Sequence, residues 1–158
     1  MPDGLYDRDV LLWSEEQAML LRRLATGERL NDTVDWPNLI EEVESLGRAE
    51  LKSCESLLRL AILHALKLHA WPNSQAVAHW RMEVFTFATD AQDVFTPSMR
   101  QRIDLQSLYA NACKRLALAS DESGAHRPTP DQCPLVLDDL LDPSLDPTTL
   151  VAKFLVEP

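Results

Sequence analysis

The sequence predicts an all-α fold, a single-domain helical bundle of about four longer helices followed by short C-terminal helices. Apolar residues recur at spacings of three and four residues over most of the chain, which is the period of an amphipathic helix. No segment of useful length alternates between apolar and polar residues, as a half-buried strand does. Six of the ten prolines fall in the last 31 residues, where they exclude long helices. A chain of 158 residues is long enough for one domain with one core.

The first helix is predicted from about residue 6 to residue 25. Gly27 follows it, in the place where a left-handed C-cap would lie. The apolar stripe predicted to face the core consists of Tyr6, Val10, Trp13, Gln17, Leu20, Leu21 and Leu24.

The second helix is predicted to begin with Asp35 as its N-cap and Pro37 in its first turn, and to end near residue 70. A straight helix of this length would extend about 51 Å, whereas a domain of this size has a radius of gyration near 15 Å. We therefore expect a bend or break near Gly47, or a close helix contact at this glycine. The apolar stripe keeps one helical phase throughout and consists of Leu39, Ile40, Val43, Leu46, Cys54, Leu57, Ala61, Ala65 and Leu68.

The remaining helices are separated by proline-containing turns. The third is predicted at residues 77–95, and the fourth from Pro97, with Thr96 as its cap, to about residue 120. Short helices are predicted at 134–141 and 147–155. Three tryptophans begin or centre apolar stripes and are expected to be buried in one core, namely Trp13, Trp36 and Trp80.

The charge balance disfavours a nucleic-acid partner. Fifteen Lys and Arg against 25 Asp and Glu give a formal net charge of -10, and an acidic surface repels phosphates. No membrane association is expected either, because the most apolar run, at 57–66, is about half the roughly 20 residues that a bilayer requires.

The cysteine pattern predicts reduced thiols and a cytoplasmic location. Cys54, Cys113 and Cys133 are an odd number, lie far apart and include no C-x-x-C pair, and no secretory segment is recognised. Cys133, in a loop before a proline, is the only one of the three placed for reactivity.

Several spaced motifs occur in a fixed order along the chain. They are Tyr6-x-x-Asp9-x-x-x-Trp13, Asp35-Trp36-x-Asn38-Leu39-x-Glu41-Glu42-x-Glu44-x-x-Gly47, His64-x-Leu66-Lys67-x-x-x-x-Pro72 with Trp80, Pro97-Ser98-x-Arg100, Tyr109 and Cys133-Pro134. In these motifs the chain resembles the bacterial family known as domain of unknown function 29. The resemblance implies a cytoplasmic all-helical domain with no established activity. It divides the chain into a helical domain at 1–142 and a C-terminal extension at 143–158.

The segment DWPNLIEEVESLG, at residues 35–47, could be a metal or acid–base site, because it contains four carboxylates. Helical phase places Glu41 outward and puts Glu42 and Glu44 on opposite edges of the apolar stripe. We interpret the segment as a capped and solvated helix face, from which one carboxylate is recruited inward.

Polar residues at or near inward helical phases are better site candidates, since a buried polar group needs a partner. We expect the end of the first helix that carries Asp9 to meet the turn of the second helix that carries His64 and Lys67. The structural alternatives are a hydrogen-bonded core histidine and a lysine that only forms a salt bridge. The candidate polar cluster consists of Asp9, Glu42, Glu50, His64 and Lys67.

No cofactor and no metal-ligand set is identified. The paired Glu-x-x-His signature of helical carboxylate metal sites is absent. His64 and His69 lie about 140° apart around the helix, so they cannot chelate one ion together.

Two functions are compatible with this pattern. The favoured one is a non-catalytic interaction module with an unidentified protein partner, with a homo-oligomer left open. The alternative is an enzyme or metal-binding protein that uses the carboxylate, histidine and lysine side chains of the candidate cluster.

Overall fold

The computed structural model describes residues 4–30 and 32–155, and in this part of the chain it contains helices and no β-strand. The all-α prediction is therefore confirmed. Four helices are long: α2 (Val10–Ala25), α3 (Trp36–Ala70), α4 (Val77–Val94) and α5 (Leu105–Ala117). Three are short: α1 (Leu5–Arg8), α6 (Leu137–Leu141) and α7 (Pro147–Ala152). No helix among the described residues is both long and apolar enough to cross a bilayer.

The contacts of the chain group it into two compact units, residues 1–49 and 50–158. We call them the first and the second unit. Helix α3 continues through the boundary and contributes residues to both.

The predicted first helix is interrupted at Asp9. Helix α1 ends at Arg8, and Asp9 has a non-helical backbone with φ of -153° and ψ of 85°. The Asp9 carboxylate accepts a hydrogen bond from the backbone N–H of Leu12 at 3.0 Å, so Asp9 is the N-cap of α2. Periodicity could not show this cap, because the apolar phase of the stripe continues across it.

The prediction of a break or a close contact at Gly47 is wrong. Helix α3 is continuous from Trp36 to Ala70, and a Cβ atom at position 47 would meet no atom within 4 Å. The prediction assumed that the whole apolar stripe had to be buried in one core. Val43 and Leu46 are instead 67% and 66% exposed, so burial does not require the helix to turn.

Replacement of Gly47 by alanine should stabilise α3 by up to about 1 kcal/mol, because alanine loses less backbone entropy in a helix. The melting temperature followed by circular dichroism should rise by about 2–4 °C. Gly27→Ala is the matched control, since position 27 is equally open but has φ of +92°, which strains any L-residue. We expect that variant to melt lower. A lower melting temperature for Gly47→Ala would show that another surface covers this position.

The core of the second unit is built from the second half of α3, from α4 and α5, and from the C-terminal segment. Helix α4 packs against α6 and α7, which come from the proline-rich end of the chain. The predicted extension at 143–158 contributes Leu150 and Phe154 to this core. Whether it is a separate segment from a domain at 1–142 stays a prediction. Fully buried large side chains of the core include Leu58, Ile62, Leu66, Val84, Tyr109, Leu116, Leu140 and Phe154.

Buried polar side chains hold the long loop after α5 in place. His69 hydrogen-bonds the carbonyl oxygen of Pro128 through Nε2 at 2.9 Å, and Trp71 donates its indole N–H to the Gly124 carbonyl at 2.8 Å. The Tyr109 hydroxyl donates to the carbonyl of Pro130 at 2.5 Å. Backbone carbonyl groups of the loop, which have no hydrogen-bond partner within a helix, are satisfied in this way.

The burial expected for three tryptophans is confirmed for Trp13 and Trp80 and is wrong for Trp36, which is 40% exposed. Trp36 is the first residue of α3, and the buried positions at this helix start are those of Val34 and Asp35. A further tryptophan, Trp71, directly follows the last residue of α3, and its side chain is buried.

Candidate functional site

Two members of the predicted polar cluster, Asp9 and Glu42, lie in the first unit. Asp9 is exposed and uses its carboxylate to cap α2. Glu42 is half-buried and accepts a hydrogen bond from the Tyr6 hydroxyl at 2.5 Å, which raises the pKa of Tyr6. Two carboxylates of the 35–47 segment are thus turned inward, the half-buried Glu42 and the buried Asp35 at the helix start, which is one more than predicted. Glu41 points outward and pairs with Arg48 at 2.8 Å.

The other three members lie in the second unit. Glu50 is exposed, so its predicted inward orientation is wrong. Helical phase placed it on the apolar stripe, but this part of the stripe is not covered, as Leu46 one turn earlier shows. The Lys67 ammonium lies 6.0 Å from the ring centroid of Trp80, and the salt bridge expected for it is not among the ion pairs of residues 4–30 and 32–155.

His64 is a half-buried histidine with a structural hydrogen bond. Its Nδ1 donates to the carbonyl oxygen of Leu60 at 2.8 Å, since a carbonyl can only accept. Its ring packs against Phe87 with the centroids 5.3 Å apart. Burial lowers the pKa of His64, and the hydrogen bond to Leu60 acts in the opposite direction. The imidazole is therefore neutral at physiological pH.

The structure assembles no metal centre from the residues it describes, since no three His, Cys, Asp or Glu side chains among them converge. The thiol with predicted reactivity, Cys133, is half-buried, and burial raises its pKa. A raised pKa leaves less of the nucleophilic thiolate. Whether Asp9 and Glu42 meet the other three candidates in one cluster stays a prediction.

An open apolar groove of about 420 Å³ lies within the first unit, between α2 and the start of α3. One side of α2 lines it, together with Leu39 and Glu42 of α3, which form its α3 wall. Only a few polar side chains face it. The groove-lining residues are Val10, Leu11, Trp13, Ser14, Gln17, Ala18, Leu21, Leu39 and Glu42.

A buried polar network determines the position of α2 against the start of α3. Trp13 donates its indole N–H to Oδ2 of Asp35 at 3.1 Å, and Asn38 donates its amide to the same oxygen at 2.8 Å. Gln17 accepts the backbone N–H of Asp35 at 2.9 Å. The hydrogen bond from Asn38 lowers the pKa of Asp35, which keeps this carboxylate ionised. The second oxygen, Oδ1, is buried without a hydrogen-bond partner among the described residues.

Helix α3 turns a polar edge and Leu39, but not the rest of its apolar stripe, toward the rest of the first unit. Asn38, Glu42 and Ser45 are half-buried, one turn apart along this edge. The stripe beside it stays open, with Ile40 at 53% and Val43 and Leu46 at about two-thirds exposure. Leu39, Val43 and Leu46 follow one another at spacings of four and three, so the apolar wall of the groove continues along α3 for two more turns.

Sequence comparison gives the chain a family. A family model described as domain of unknown function DUF29 matches residues 5–145. The chain belongs to the DUF29 family. The resemblance seen in its motifs is thereby confirmed, and the family name assigns no activity.

A solved structure agrees with this fold. It is the crystal structure of an alpha-helical protein of unknown function from Rhodospirillum rubrum ATCC 11170. The two chains are 31% identical, the match covers 94% of this chain and 96% of the other, and the TM-score is 0.71. No curated protein matches the chain.

Our sequence reasoning missed the groove of this DUF29 chain, because it assigned every apolar stripe to the core. A signal was present in α2, which has more apolar residues than one buried face can use. Trp13 and Gln17 are buried, while Leu11 and Leu12, next to them in the chain, are 68% and 44% exposed. A helix with apolar residues on two sides has a second surface to cover.

Proposed function

We propose that this DUF29 protein is a non-catalytic interaction module, and that the groove of the first unit receives an amphipathic helix of another protein chain. The supporting observation is the exposure of the groove and of the stripe that extends it. Leu11, Val43 and Leu46 are each about two-thirds exposed, although they belong to helices whose other sides are packed. Exposed apolar surface of this extent is typical of interaction sites.

The length of the surface favours a helix over a small molecule. A small-molecule site encloses most of its ligand, whereas this groove is open and continues along α3 past Leu39 to Val43 and Leu46. An amphipathic helix fits such a surface with apolar residues spaced three and four apart. The three free cysteines suit the reducing cytoplasm, where we place the interaction.

A photo-crosslinking residue at position 11 or position 43 tests the proposal in cells of the source organism. We expect each to give a discrete protein–protein product, because both positions border the proposed docking surface. The product should be lost when Ala18→Trp fills the groove, since Ala18 lines it.

Position 118 is the matched control. Leu118 is 90% exposed but lies in the second unit, outside the groove, so the same crosslinker there should give no discrete product. Absence of a product at both 11 and 43, or a product that Ala18→Trp leaves unchanged, would contradict the proposal.

A further inference from the structure

The groove side of α2 carries the spacing of a coiled-coil seam. Leu11, Ser14, Ala18, Leu21 and Ala25 follow one another at intervals of three, four, three and four residues. This alternation keeps side chains on a single narrow face that meets a partner helix. It is distinct from the buried face of α2, on which Trp13 and Gln17 lie.

The side chains at the centre of the seam are small. Ser14 and Ala18 have short side chains, so a partner helix can approach α2 closely there, toward the lower end of the roughly 8–10 Å range of interaxial distances. Larger side chains flank this centre, with Leu11, which is 68% exposed, on one side and Leu21 on the other. A partner must therefore cross α2 near Ala18.

The charged residues beside the seam are arranged so that they complement those of a second α2 helix packed antiparallel to the first. Glu15 and Arg22 each follow a seam residue by one position, on the same edge, and lie at equal distances from the point between Ala18 and Met19. When two copies of α2 cross antiparallel at that point, the same edges face each other. Glu15 of each copy then meets Arg22 of the other. A parallel pair would instead bring like charges to the same level.

Glu15 and Arg22 are available for this contact. Both are exposed, and neither takes part in an ion pair within residues 4–30 and 32–155. The adjacent Arg23, by contrast, pairs with Glu28 at 2.8 Å.

We propose that the occupant of the groove is a second copy of this chain, docked through antiparallel α2 helices about a two-fold axis near Ala18. This inference rests on the proposed function and names its partner. The opposite charges of Glu15 and Arg22 are the evidence for a second copy, because a two-fold contact requires a face that is complementary to itself. An unrelated partner would not require this symmetry on α2.

The available apolar area fits such a dimer. Five side chains along the groove and its extension are at least half exposed, and each offers on the order of 100 Å² of surface. Together with the half-buried groove residues and the polar rim, they approach the roughly 800 Å² per partner that a standard interface buries. Two α2–α3 pairs would then form an intermolecular four-helix arrangement. The five side chains are Val10, Leu11, Ile40, Val43 and Leu46.

Charge reversal tests both the partner and its direction. Sedimentation equilibrium of the full chain in low salt should show a dimer for the unchanged protein. Glu15→Arg and Arg22→Glu should each weaken the dimer about 10-fold, since two-fold symmetry repeats every altered pair. The double variant, with both changes, should restore the dissociation constant to within about 3-fold of the original, because the pairs are reformed with opposite signs.

Glu16→Arg is the matched control, because Glu16 is also exposed and acidic but lies on the far side of α2 from the seam. It should leave the dimer unchanged. A monomeric protein, or a double variant no tighter than the singles, overturns the inference. A monomer that still gives the crosslink from position 11 to a different protein overturns only the second copy as partner. A monomer without that crosslink overturns the proposed function as well.

Discussion

Replacement of Phe154 by alanine is expected to lower the free energy of unfolding by about 3–5 kcal/mol, the usual cost of emptying a buried phenylalanine site. The Phe154 side chain is 0% exposed. Its ring stacks on Tyr109 with the centroids 6.3 Å apart and lies 5.8 Å from the ring of His69. Both neighbours are held by hydrogen bonds to the loop after α5, so they cannot move freely into the space.

Urea unfolding followed by circular dichroism measures this loss, which is a large part of the 5–15 kcal/mol of a typical domain. Leu155→Ala is the control, because Leu155 is the next residue and is 58% exposed. It should change the stability by less than about 0.5 kcal/mol. A cost below about 1 kcal/mol for Phe154→Ala would show that the residues after 142 are an accessory to the fold and not part of its core.

Helical period predicted the buried faces of the second unit well, because other parts of the chain cover them. The predicted start of the fourth helix at Pro97 is wrong: residues Pro97–Met99 form a 3₁₀ turn, and α5 begins at Leu105 with Asp104 as its N-cap. Val84, Ala88 and Ala91 of α4 are buried as their spacing predicts, and so are Tyr109 and Leu116 of α5. Spacing gives the direction of a face within its helix. Where another part of the same chain covers that face, the residues that point toward it are also buried.

In the first unit, several residues whose helical spacing predicts burial are exposed. Val43 and Leu46 have the predicted direction and remain exposed, and the same reasoning placed a break or a close contact at Gly47. It also placed Glu50, the first residue of the second unit, inward, although this residue is exposed. Periodicity contains no information on whether a facing surface exists. A groove that needs a second chain therefore looks, in the sequence, the same as part of a core.

The polar contacts of the candidate site were only partly predictable. Helical phase placed Glu42 and Glu44 at the edges of the stripe, but it could not give the partner of Glu42, because Tyr6 is 36 residues away. The loop contacts of His69 and Trp71 involve backbone carbonyls, whose positions have no residue-type signature.

Replacement of Asp35 by alanine is expected to destabilise the first unit by about 2–4 kcal/mol. The change removes the carboxylate at the start of α3, a loss of about 0.5–2 kcal/mol, and leaves the buried indole N–H of Trp13 without an acceptor, which costs about 1–3 kcal/mol more. Amide hydrogen exchange should become faster in peptides from α2, because Trp13 and Gln17 anchor that helix to Asp35. Peptides from α4, in the second unit, should be unchanged.

The fall in the stability of the first unit at acidic pH identifies the ionised Asp35 carboxylate as the cause of the stabilisation. The pKa of Asp35 is lowered from its ordinary value of 3.8, so between the two values the folded chain binds fewer protons than the unfolded chain. Stability from the ionised group is therefore fully present above 3.8 and is lost as the pH falls through the lowered pKa. The gap in exchange protection between the original protein and Asp35→Ala should shrink in that range. Asp35→Asn keeps an acceptor oxygen but no charge, and should lose at most about half as much at neutral pH. If Asp35→Ala left α2 exchange unchanged, the network would not hold α2 against α3, and the groove between them would have no fixed wall.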